Sequence, residues 1–146
     1  VMLAARFGQY TLCVHAPECG DALVMEHNGD VYSCDHFVEP DYLLGNIAEA
    51  GFQEMLALPQ QREFGRSKRT ALPRQCVECP VRWACHGGCP KDRFCITTDG
   101  EPGLNYLCAG YYSFFNHATT AILEMAKLLQ AGRSAAELMT TSWREA

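Results

Sequence analysis

The sequence predicts an α+β fold: a small β-hairpin, several helices and irregular cysteine-rich metal-binding loops, followed by a long C-terminal amphipathic helix. Three observations predict it. Asn28–Gly29 lies between two short β-prone runs, Ala22–Val24 and Val31–Ser33. Apolar residues recur at three- and four-residue steps over about 104–130. Five cysteines crowd into Cys76–Cys95, among Pro80, Gly87, Gly88 and Pro90.

Each element has a local cause. Asn–Gly suits the positive φ angles of a tight turn, so a hairpin is expected over about 22–34, ending at Cys34. Leu43–Ile47 reads as extended. Phe52, Met55 and Leu56 have helical spacing, and Pro59 closes that short helix while opening another that runs to about Arg66. Arg66–Arg74 is basic and polar, the pattern of a surface connection. The Pro and Gly content of Cys76–Cys95 favours a loop with at most short helical turns. Asp99–Gly100 and Pro102–Gly103 mark turns. Beyond them Leu104, Leu107, Cys108, Tyr111, Phe115, Ala118, Ile122, Met125 and Leu129 form the helical stripe. Gly132 ends that helix, and Ser134-x-x-Glu137 has the capping-box pattern of a short last helix.

The chain has 146 residues, which suits a single domain over 1–146, and 48% of them are hydrophobic, which argues against disorder. Its 12 basic and 17 acidic residues leave a net charge of −5. That argues against nucleic acid and anionic membrane as main partners. No apolar run reaches the ~20 residues that span a bilayer. Val1–Tyr10 lacks the basic-then-apolar pattern of a signal peptide, so a cytoplasmic location is expected.

The nine cysteines are Cys13, Cys19, Cys34, Cys76, Cys79, Cys85, Cys89, Cys95 and Cys108. An odd number without an export signal argues against a disulfide framework and for metal. The dense part reads Cys76-x2-Cys79-x5-Cys85-x3-Cys89. Cys-x2-Cys lets two sulfurs converge on one centre, and thiolate is the soft ligand that zinc and iron–sulfur clusters share. Eight ligands make two four-thiolate sites, with one cysteine left over. Spacing alone leaves structural zinc and iron–sulfur both open. Air exposure adds a complication, because vacated thiolate sites bind zinc or stay empty.

The arrangement Cys19-x9-Gly29-x4-Cys34, then Cys76-x2-Cys79-x5-Cys85-x3-Cys89, then Cys108, resembles the SPASM domains of radical-SAM enzymes. Cys13, Cys34-Asp35-His36-Phe37-Val38, Leu44-Gly45-Asn46-Ile47 and Cys85-His86-Gly87-Gly88-Cys89-Pro90-Lys91-Asp92-Arg93 resemble the anaerobic sulfatase-maturating branch. The resemblance implies two [4Fe–4S] clusters, the first on Cys13, Cys19, Cys34 and Cys89, the second on Cys76, Cys79, Cys85 and Cys108. Cys95 fits neither set and reads as a buried or free thiol. The implied partner is a sulfatase-type polypeptide with a Cys/Ser-x-Pro-x-Arg motif, whose Cys or Ser becomes formylglycine. S-adenosylmethionine and its Cys-x3-Cys-x2-Cys cluster would belong to a radical-SAM barrel that this sequence lacks. The chain is therefore expected to be a C-terminal piece of a larger enzyme, inactive by itself.

The implied reaction needs an electron acceptor and a base near the substrate. The resemblance assigns the base to Asp35; its ordinary alternative is a turn-capping acid. His36 is the rival base but reads better as a packing or surface residue. Gly87 and Gly88 would let backbone N–H groups approach cluster sulfur. Lys91 and Arg93 could balance cluster charge, although such residues are usually solvated. Tyr111, Tyr112, Phe114 and Phe115 read as core. His15, His27, His86 and His117 could ligate metal, but eight cysteines suffice. Metal binding should be coupled to folding of loop 76–95.

Overall fold

The computed structural model describes residues 2–140. A short helix, α1 (Met2–Phe7), leads into a 3-10 turn at Cys13–His15. Three strands follow, β1 (Val24–Met25), β2 (Asp30–Tyr32) and β3 (Leu43–Asn46), which form one antiparallel sheet in that order. Val24 pairs with Tyr32 and Val31 with Gly45.

The expected hairpin is present, but its turn is not the two-residue type. Gly29 N–H closes on the Glu26 carbonyl at 2.9 Å, and Gly29 alone in the loop has positive φ, at 89°. This is a three-residue loop ending in a left-handed glycine, the next most common hairpin solution. Asn46 at the end of β3 ties it down. Its Nδ2 donates to the Asn28 carbonyl at 3.1 Å and to Asp30 Oδ1 at 3.0 Å. The extended segment expected at 43–47 is thus the third strand of the sheet.

Helix α2 (Phe52–Ala57) is followed directly by α3 (Pro59–Thr70), which Pro59 opens as expected. Helix α3 runs past Arg66, so the supposed surface connection is largely helical, and Lys68 within it is only 1% exposed. The cysteine-dense stretch holds two single-turn helices, α4 (Arg74–Val77) and α5 (Arg82–Cys85). A second antiparallel pair, β4 (Cys95–Ile96) with β5 (Pro102–Leu104), then forms around the Asp99–Gly100 turn. Sequence reading found that turn but not the strands beside it, and Pro102–Gly103, expected as a second turn, lies in strand β5.

The long helix α6 is Cys108–Gln130 and not 104–130. Leu104 is claimed by β5, and Asn105 Oδ1 accepts the Leu107 N–H at 2.9 Å, an Asx turn that delays the helix start. Its C-terminus is a Schellman motif: Arg133 N–H reaches the Leu128 carbonyl at 2.9 Å, Gly132 N–H reaches Leu129 at 3.1 Å, and Gly132 has φ 71°. The Ser134/Glu137 cap is also present, with Ser134 N–H on Glu137 Oε1 at 3.0 Å, but it starts a 3-10 turn, Ala135–Thr140.

Phe115, Ile122 and Ala126 form the buried stripe of α6, and Phe115 joins Val81 and Ala84 in a small core beneath α5. The aromatic run is not all core. Phe115 is 1% exposed, but Tyr112 is 46% and Phe114 60% exposed. Successive helical residues point about 100° apart, so a contiguous run cannot share one face. Helix α1, which sequence reading did not anticipate, packs against α6.

Candidate metal centres

The cysteines gather in two places. Cys13, Cys19 and Cys34 line a cavity of about 220 Å³, and Cys76, Cys79, Cys85 and Cys108 line another of about 610 Å³. Cys89 belongs with the first group. Burial raises the Cys19 thiol above its ordinary value, and the charges of Cys13 and Cys89 push it further. Burial pushes Cys34 up to about 11, with added repulsion from Asp35 and Cys19. In the second group burial pushes Cys76 up to about 11, and Cys108, Cys85 and Cys79 repel its thiolate. The strongest thiol neighbours of each shifted cysteine all come from its own group. Such thiols stay protonated at neutral pH until a cation draws off the proton.

The thiols of each group surround a space. A single zinc ion with Zn–S of about 2.3 Å would draw them to one point. No three His, Cys, Asp or Glu side chains among the described residues form such a single-ion group.

Helix α3 organises the first group. Gln61, Gly65 and Lys68 lie at i, i+4 and i+7, on one buried stripe. Gln61 Nε2 donates to the Gly20 carbonyl at 2.5 Å and to Ser33 at 3.2 Å, so it holds the chain next to both Cys19 and Cys34. At Gly65 the backbones meet: Cys19 N–H donates to the Gly65 carbonyl at 3.2 Å, and any Cβ on Gly65 would run into the Cys19 carbonyl. Lys68 Nζ donates to the carbonyls of Cys13, Val14 at 3.2 Å and Ala16 at 2.6 Å. None of these three residues was picked out by sequence reading. Their spacing was the available signal, but a polar stripe resembles a solvated face.

The link between the groups is His86-Gly87-Gly88, which joins Cys85 of one to Cys89 of the other. All three residues have positive φ, at 47°, 75° and 64°. This winding lets Gly88 N–H donate to the Cys85 carbonyl at 3.0 Å and brings the Gly87 and Gly88 N–H groups near enough to the Cys85 thiol to favour its thiolate. Lys91 N–H likewise serves Cys89, and His36 N–H serves Cys34. N–H donors on sulfur fit thiolate ligands that carry a metal cluster. The carbonyls freed by this winding converge on Arg93. Its guanidinium donates to Gly87 at 3.0 Å, His86 at 3.0 Å, Gly88 at 3.2 Å and Lys68 at 2.7 Å. Arg93 is thus half-buried, whereas Lys91 is exposed and paired with Glu39 at 2.5 Å.

Asp35 is exposed beside the first group and accepts a hydrogen bond from Cys34 Sγ at 3.2 Å. That bond, with help from His36, holds its carboxyl below the usual range, so Asp35 is ionised at neutral pH. His36 Nδ1 lies 3.3 Å from Cys89 Sγ. His15 packs edge-on against Phe115 at 5.3 Å and Tyr111 at 5.7 Å, and His86 against Tyr10 at 5.3 Å. Burial lowers both imidazoles and favours their neutral forms. Cys95 lies in β4, outside both cavities.

Residues 12–80 match SPASM, the iron-sulfur cluster-binding domain. The chain is also similar to anaerobic sulfatase-maturating enzymes. It is 52% identical over 128 residues to the serine-type enzyme of Bacteroides thetaiotaomicron, covering 88% of this chain and 31% of that one. It is 30% identical over 119 residues to the cysteine-type enzyme of Clostridium perfringens, covering 82% and 32%. The solved structure of anSMEcpe with bound AdoMet and Cp18Cys peptide superposes with a TM-score of 0.73 at 27% identity, covering 88% of this chain and 35% of that one. The chain thus spans about a third of the length of these relatives. Among the described residues no helix is long and apolar enough to cross a membrane.

Proposed function

We propose that this chain is the auxiliary-cluster part of a radical-SAM enzyme that oxidises a Cys or Ser of a sulfatase-type polypeptide to formylglycine. In this reading Cys13, Cys19, Cys34 and Cys89 hold one [4Fe–4S] cluster, and Cys76, Cys79, Cys85 and Cys108 hold the other. The observation that carries it is that seven of these cysteines line two separate cavities, three on one and four on the other, while the charge of Cys89 couples to Cys19 of the first. When bound, the clusters supply an electron acceptor, since their potentials span roughly −700 to +450 mV. Four thiolates per cluster leave no iron open to substrate.

Asp35 supplies the base. Once Cys34 is a metal-bound thiolate it can no longer donate to Asp35, and the carboxylate is free to accept the proton of the substrate's hydroxyl or thiol. Loss of that proton makes the neighbouring carbon radical more reducing, and one electron leaves as the C=O or C=S bond forms. The exposure of Asp35 and its position beside the first group support this role. The target motif would be Cys/Ser-x-Pro-x-Arg, and S-adenosylmethionine would bind on a barrel outside these residues.

Iron content tests the cluster assignment. Protein loaded anaerobically should hold about eight irons per chain, and Cys19→Ser and Cys79→Ser should each lose about four. Colourless protein holding one or two zinc ions after the same treatment would refute it.

A further inference from the structure

Lys68 and Arg93 are cations withdrawn from water without a carboxylate. Lys68 is 1% exposed, and Arg93 is half-buried under the 86–88 carbonyls. Among the described residues, none of the ion pairs includes either one. Carbonyl oxygens hold their hydrogen atoms but bring no net charge. A desolvated cation costs several kcal/mol unless an anion answers it. The groups that favour their charged forms are sulfurs. For Lys68 these are Cys19, Cys13 and Cys89, all of the first group. For Arg93 they are Cys76, Cys89, Cys19 and Cys85, two from each group. Arg93 also donates to the backbone carbonyl of Lys68 at 2.7 Å, which ties the two residues together through the main chain.

We propose that Lys68 and Arg93 are the built-in counter-charges of the two cluster sites, Lys68 serving the first and Arg93 shared by both, and that they raise the clusters' reduction potentials. This rests on the cluster assignment above. A four-thiolate [4Fe–4S]2+ unit carries a net charge of roughly −2, and one added electron makes it more negative. A fixed cation close by in a low dielectric favours that reduced form. The electron acceptor is therefore tuned by residues that touch neither substrate nor iron, which makes them positioning residues.

The test is a potentiometric titration followed by EPR on the anaerobically loaded protein, with Cys19→Ser and Cys79→Ser backgrounds assigning each potential to its site. Arg93→Gln should lower both potentials, each by at least the equivalent of a tenfold change in the oxidised-to-reduced ratio, 59 mV for one electron. Lys68→Met should lower the first alone. Arg93→Lys should keep both near the wild-type values. Unchanged potentials in Arg93→Gln and Lys68→Met, or Arg93→Lys shifting as far as Arg93→Gln, would overturn the proposal. If Arg93→Gln takes up no iron, Arg93→Lys decides: loading at wild-type potentials supports charge compensation, and loss of iron there too leaves only a steric role. Wild-type protein that takes up no iron overturns the cluster assignment itself, and this inference with it.

Discussion

Asp35 and His36 are adjacent, both exposed, and both within hydrogen-bonding reach of a first-group sulfur. Their chemistry separates them. Asp35 is ionised at neutral pH and can accept a proton from substrate, whereas the His36 ring nitrogen is turned towards Cys89. Asp35→Asn should therefore lower the turnover of the intact enzyme about 10²–10⁴-fold while leaving its iron content intact. His36→Ala should change turnover far less. Product mass spectrometry with a Ser- or Cys-containing peptide measures both, and near-normal turnover in Asp35→Asn would remove it from the chemistry. The cysteine clustering was legible in the sequence because thiolate spacing leaves a pattern, whereas the division into two ligand sets and the role of Asp35 rested on the resemblance. Gln61 and Lys68 were not legible, because a buried polar side chain is written with the same letters as a solvated one.

At the scale of elements, α3 bears on the first group more than any strand does. Its buried stripe grips three separate cysteine-bearing segments, around Cys13, Cys19 and Cys34. Gly65 is where the fit is tightest, since a Cβ there meets backbone and not the movable end of a side chain. Gly65→Ala should destabilise the folded protein by about 1–3 kcal/mol. It should also release iron from the first site ahead of the second, as read by denaturant midpoint and iron retention. An unchanged midpoint would mean that α3 and the Cys19 segment can part at no cost. Elements with local signals were readable in the sequence: the Asn–Gly hairpin, the Pro59 helix start and the Gly132 stop. The β4–β5 pair was missed because two- and three-residue strands carry no periodicity, and the start of α6 was misjudged because the Asn105 turn interrupts an otherwise continuous apolar stripe.

Across the whole molecule six of the nine thiols are shifted in the same direction. Burial raises Cys34 and Cys76 to about 11 from an ordinary 9.0, and Cys19, Cys85, Cys89 and Cys108 move in the same direction. A raised thiol pKa means that the folded chain holds the proton more tightly than the unfolded one. The stability this confers on the metal-free, reduced chain is complete below about pH 9 and is lost as pH climbs towards 11. Thermal unfolding under reductant should show the decline across that window, and a flat profile there would mean that the thiols are not desolvated. The α+β class was legible at this scale. The two-site layout was expected from the resemblance and not from any local pattern, because it depends on long-range contacts through α3 and Arg93.

Three residues separate Cys85 from Cys89, and these two cysteines belong to different thiol groups. Whichever cage closes first pins one end of that short tether and leaves the other cage fewer conformations to search. Loading is then cooperative, and half-filled molecules should be scarcer than independent filling would make them.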